Sequence, residues 1–138
     1  MNLGYSDRQW RSIDKYLNAL RQKEIEVHAI LGNHEVMGRP VIGEKKFQQR
    51  FPSHNRFGYE QQINSIAVIL LNSNWKTLTA KEDELQIKWY EETLDAFDAD
   101  PDIHFTIVCC HHSPYTNSRI VKPSVEVREK FVPQYINS

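Results

Sequence analysis

Two short polar clusters carry residue types suited to acid–base or metal chemistry. The first is Gly32-Asn33-His34-Glu35. Asn33 offers a neutral amide oxygen, a good ligand for a hard or borderline cation. His34 offers an imidazole whose ordinary pKa of about 6.5 suits proton transfer at neutral pH. Glu35 could orient that imidazole or hold the loop, and Gly32 lets the chain turn sharply. The plain alternative is a turn with a surface histidine, because Gly-Asn turns are common. The second cluster is His111-His112-Ser113-Pro114-Tyr115-Thr116-Asn117-Ser118. Alternation along the apolar run before it sends the two histidines to opposite sides. One of them is then a candidate metal ligand. The alternative is one satisfied buried histidine and one exposed one. Pro114 stiffens the loop.

Other chemical signatures fail. His34-Glu35 does not open a zinc-protease motif, because position 38 is Gly. The sequence has no Gly-x-Ser-x-Gly elbow and no phosphate loop ending in Gly-Lys-Ser/Thr. His28, in an expected strand, and His54 and His104, near turns, read as structural. Trp10, Trp89 and Tyr90 read as core rather than as a ligand platform. Lys81 to Glu84 reads as a solvated helix start. Adjacent Cys109 and Cys110 read as free, small apolar residues.

The elements that must position these clusters alternate in type. Ser6 with Gln9 suggests a capping box. Behind it Trp10, Ile13, Tyr16, Leu17 and Leu20 predict an amphipathic helix over 7–22. Val27 to Leu31 reads as a buried strand ending at Gly32. Gly43 to Arg50 predicts a short helix before Pro52. Residues 57–62 and 66–72 flank Asn64-Ser65 as a hairpin. The second arm is apolar on both faces and therefore central in a sheet. Thr79 with Glu82 caps a helix over 81–97. Asp100-Pro101-Asp102 is a turn, Ile103 to Cys110 a buried strand, and Val125 to Phe131 a possible helix. This order predicts one α/β domain over 1–138, a layered sandwich with a largely parallel or mixed central sheet. Sites in such sheets form beyond the carboxyl ends of strands, where both polar clusters fall.

Composition bounds the function classes. The chain has 138 residues, 40% apolar and 25% charged, with a formal net charge of −1. That suits one packed core and argues against disorder. It gives no electrostatic footprint for nucleic acid or a charged membrane. No apolar run is long enough to cross a bilayer, and the first residues do not read as a secretory signal.

Gly32-Asn33-His34-Glu35 after a strand, followed later by His112-Ser113-Pro114 after another, resembles the calcineurin-like metallophosphoesterase family. Leu70-Leu71-Asn72-Ser73 and Gln86 to Leu94 resemble the family's intervening strand end and helix. The Asn117-Ser118 texture is nearest to the purple acid phosphatase-like branch. The resemblance runs from about Asp7 to Phe131. It implies that Asn33 and His112 are metal ligands and that His34 is the catalytic histidine, with Glu35 and His111 supporting. It also implies two metal ions (Mn, Zn or Fe) and a phosphate-ester substrate.

The family's earlier Asp-x-His and Gly-Asp segments and its later Gly-His-x-His segment have no counterpart here. The expectation is therefore a fragment, weak or inactive alone, with open sheet edges and exposed apolar faces. The alternative expectation is a non-catalytic remnant or binding module that keeps the α/β core. Oligomeric state, compartment and ester type are not legible in the sequence.

Overall fold

The computed structural model describes residues 3–137. They form two compact units, divided between Asn55 and Arg56.

The first unit is helical. Helix α1 (Asp7–Arg21) buries Trp10 and Leu17. They pack with Leu31, Val36, Phe47 and Phe51, and Ile13, Val27 and Ala29 border them. The expected Ser6–Gln9 capping box does not form. Ser6 makes no side-chain cap, and the Gln9 side chain instead accepts the Leu3 main-chain N–H at 2.9 Å. The Trp10 indole donates to the Gly4 carbonyl at 2.6 Å, and the Arg50 guanidinium lies 4.3 Å from the Trp10 ring centre. Arg50 also forks onto Asp14, at 2.6 and 2.9 Å, which lowers the Asp14 pKa.

Val27 to Leu31 corrects the sequence reading, because it forms no strand. Val27, Ala29 and Leu31 still turn to the core with the period of two that suggested one. A strand needs a ladder, however, and among the described residues of this unit no strand exists to pair with it. After it come a single helical turn, α2 (Asn33–Val36), and α3 (Pro40–Gln48).

The second unit is built on a three-stranded sheet in the order β1 (Gly58–Ile63), β2 (Ile66–Leu71), β3 (Phe105–Cys110). β1 and β2 form the expected antiparallel hairpin. Asn64 takes the left-handed conformation at its turn, with φ of 55°. β2 and β3 run parallel, with Leu71 opposite Cys110, so β2 is central and the sheet is mixed. The crossover carries α4 (Ala80–Ala99), whose capping box does form. Glu82 N–H donates to Thr79 Oγ1 at 3.2 Å, and Thr79 N–H donates to Glu82 Oε2 at 2.7 Å.

On one side of this sheet Ile69 and Leu71 pack with Tyr90, Leu94, Val127 and Phe131, the last two from the chain around α5 (Val125–Lys130). A last helix, α6, spans Val132–Asn137. On the other side Ile63, Phe105 and Ile107 are exposed. β3 has no ladder partner on its outer edge among the described residues. Open edge and exposed apolar side chains are both features that the sequence led us to expect.

Candidate functional site

In the first unit the cluster sits on α2. Gly32 N–H donates to Glu35 Oε2 at 3.1 Å and closes the turn, so the Glu35 carboxylate holds the loop. Gly4 N–H donates to the His34 carbonyl at 3.0 Å. Two glycines let neighbouring chain approach the same peptide. A Cβ on Gly4 would lie 2.1 Å from the Glu35 carbonyl oxygen, and one on Gly43 would lie 1.9 Å from it. The turn is thus clamped through its main chain, while the Asn33 side chain is exposed and His34 is half-buried.

In the second unit the carboxyl ends of β2 and β3 meet. Asn72, Ser73 and Asn74 follow β2 and are all buried. Asn72 N–H donates to the Gln86 side chain at 3.1 Å, and Asn72 Nδ2 donates to the Arg56 carbonyl at 2.8 Å. His112 is tied to Ser73 twice. Its main-chain N–H donates to Ser73 Oγ at 3.1 Å, and its Nδ1 lies 2.8 Å from the same oxygen. The Cys110 thiol donates to the His112 carbonyl at 3.1 Å. Burial, with Cys109 next to it, pushes that thiol up to about 11, so it stays protonated and unreactive at neutral pH.

The exposed ring of His111 packs edge-on to His112, 4.9 Å between centres. Burial first, then His111, lowers the pKa of His112. The Ser73 main chain and the Glu126 carboxylate pull the other way by less. The loop is closed further along by Ser124 N–H donating to the Ser113 carbonyl at 2.8 Å.

The model of the calcineurin-like phosphoesterases matches residues 5–135, nearly the whole chain. The chain belongs to the calcineurin-like phosphoesterase family. Members of this family generally hydrolyse phosphate esters with the help of bound metal ions. The α/β architecture with a three-stranded mixed sheet agrees with part of the calcineurin-like fold. No curated protein and no solved structure gives a significant match.

The two ligand candidates of the sequence reading lie in different units and do not by themselves suit a pair of metal ions. Asn33 and His112 are both neutral, and two dications call for carboxylate charge between them. Among the described residues no group of three or more His, Cys, Asp or Glu side chains is placed to hold a metal ion. No helix among them is long and apolar enough to cross a membrane.

Sequence reasoning singled out Asn33, His34, Glu35, His111 and His112, and passed over two neighbours of His112. One is Ser73, whose position at the end of β2 was the available signal. The other is Glu126, on α5, whose charge acts on His112 and which only the fold brings near.

Proposed function

We propose that this phosphoesterase-family chain takes part in metal-dependent hydrolysis of phosphate esters, in the manner of the purple acid phosphatase-like branch. The observation that carries the reading is the family match over residues 5–135, supported by two motifs that are each firmly held within their own unit. Gly32-Asn33-His34-Glu35 is clamped through its main chain, and His112 is pinned at the carboxyl end of β3 by Ser73. In this reading Asn33 and His112 are the chain's contribution to the ligand set. Glu35 keeps the first loop in shape and His111 packs beside the second. The metals supply charge neutralisation and an activated water when bound.

His34 is the acid–base residue. Its imidazole stabilises the charge that develops on the phosphoryl oxygens and passes a proton to the departing alcohol oxygen. The neutral donor set makes the isolated chain a weak catalyst, and it also favours a second reading, a binding module that keeps the core.

The test is turnover of p-nitrophenyl phosphate with added manganese, zinc or iron. Slow, metal-dependent hydrolysis that falls by about 10²–10⁴-fold in His34→Ala supports the first reading. Hydrolysis indifferent to His34→Ala refutes the role given to His34. The absence of any metal-dependent turnover refutes the first reading.

A further inference from the structure

We infer that one buried water molecule is held between Gln86, Trp75 and Asp83 as a fixed part of the second unit. Gln86 stands in the core-facing stripe of α4 with Tyr90 and Leu94, and it is 0% exposed. A glutamine there has to satisfy an amide oxygen and an NH₂ group. The oxygen has its partner. β2 ends at Leu71, and the N–H of the next residue, Asn72, donates to Gln86 Oε1 at 3.1 Å. A main-chain N–H can only donate, which fixes the oxygen of the Gln86 amide toward Asn72. Nε2 therefore points away from Asn72, and among the described residues it has no hydrogen-bond partner.

Two more buried polar atoms of this unit are in the same condition, Trp75 Nε1 and Asp83 Oδ1. Asp83 stands three residues before Gln86 on α4, a spacing that puts two side chains on one face with their Cβ atoms about 5–6 Å apart. Lys130 joins Asp83 to Trp75: its ammonium is bonded to Asp83 Oδ2 and lies 4.7 Å from the Trp75 ring centre. Trp75 in turn follows Asn72, the partner of Gln86, by three residues. The three atoms are two donors and one acceptor. A water molecule is their complement, since its oxygen accepts from Gln86 Nε2 and Trp75 Nε1 and one of its protons goes to Asp83 Oδ1. Three hydrogen bonds are usual for a buried water, and at the usual frequency a chain of 138 residues holds about five of them. Buried polar groups are nearly always paired. Turning the Gln86 amide over does not pair these, because it sets NH₂ against the Asn72 N–H.

The water ties α4 to the segment after β2, the segment on which Ser73 meets the loop that follows β3. It explains why a glutamine occupies a core position that an apolar residue would otherwise fill. Its place is set by the hydrogen bonding of the core and is independent of the phosphoesterase reading.

The test is a pair of ¹⁵N-edited NOESY and ROESY spectra of the full chain, read for cross-peaks with water. The expected result is a water cross-peak on both the Gln86 side-chain amide and the Trp75 indole N–H. Its sign should be opposite in the two spectra, as it is for a water that stays in place. The absence of either peak overturns the inference, and so does a peak of one sign in both spectra, which reports proton exchange. Gln86→Met keeps the length of the side chain and removes its polar atoms, so the Trp75 peak should be lost in that variant. A Trp75 peak unchanged in Gln86→Met overturns the shared water. The wild-type spectra decide whether water is held at both groups even if the methionine variant fails to fold.

Discussion

Replacing Gly43 by Ala tests whether the first motif is held by close main-chain approach. Gly43 lies inside α3. Helix propensity alone predicts that Gly43→Ala stabilises the protein by about 1 kcal/mol. The contacts predict the opposite sign. The new Cβ would stand 1.9 Å from the Glu35 carbonyl oxygen and 3.0 Å from the Glu35 carbonyl carbon. The first distance is more than an ångström inside ordinary van der Waals contact. The obstacle is main chain, so no side-chain rotation relieves it.

Overpacking of this kind costs about 1–3 kcal/mol, and the severity of the overlap argues for the upper end. The net expectation is a loss of about 1–2 kcal/mol. Urea unfolding gives the sign, and hydrogen exchange locates the effect. The Gly4 amide, bonded to the His34 carbonyl, and the Gly32 amide, bonded to Glu35, should both exchange faster. A variant about 1 kcal/mol more stable, with both amides unchanged, would refute the clamp and leave propensity as the whole account.

Three further predictions concern the second unit. Thr79→Ala removes the capping box of α4 and should cost about 1 kcal/mol in thermal or denaturant unfolding. The same cap has a pH signature. Hydrogen bonds from the Thr79 main chain first, then Arg56 and the Thr79 hydroxyl, pull the Glu82 carboxyl from 4.5 down to about 2. Its folded-state pKa is depressed, so its stabilising contribution is complete above about pH 4.5 and is lost as pH falls toward 2. Melting temperatures from pH 6 to 2 should fall less steeply for Glu82→Gln than for the parent, and parallel curves would contradict the cap. Phe105→Lys, on the open edge strand, should reduce light scattering of concentrated protein; unchanged scattering would show that this edge does not drive association.

What could be read from the sequence was local. The periodicity of Trp10, Ile13 and Leu17 and the turn at Asn64 specify their elements through contacts a few residues apart, and α1 and the β1–β2 hairpin formed as expected. The Thr79–Glu82 box formed too. The Ser6–Gln9 box did not, because the Gln9 amide found the Leu3 N–H, a competition that no short pattern reveals. Val27 to Leu31 has the alternation of a strand, but a strand is completed by a neighbour, and alternation fixes only which side chains turn inward. The chemical residues were legible as types. Their settings were not: the approach of Gly4 and Gly43 to Glu35, and the two hydrogen bonds between His112 and Ser73, join residues that no local pattern connects. Gly43 was read as the first residue of its helix, and only the structure, in which α3 begins at Pro40, places it inside, where a glycine is costly without a close neighbour.

We propose that this chain carries part of a phosphoesterase site, with donors of its own that do not suffice for two metal ions. Elemental analysis after expression with manganese, zinc and iron, followed by desalting, tests it most directly. The account predicts fewer than two retained metal ions per chain, with His112→Ala lowering the content further. Two retained ions per chain in a monomer, unaffected by His112→Ala, would contradict it.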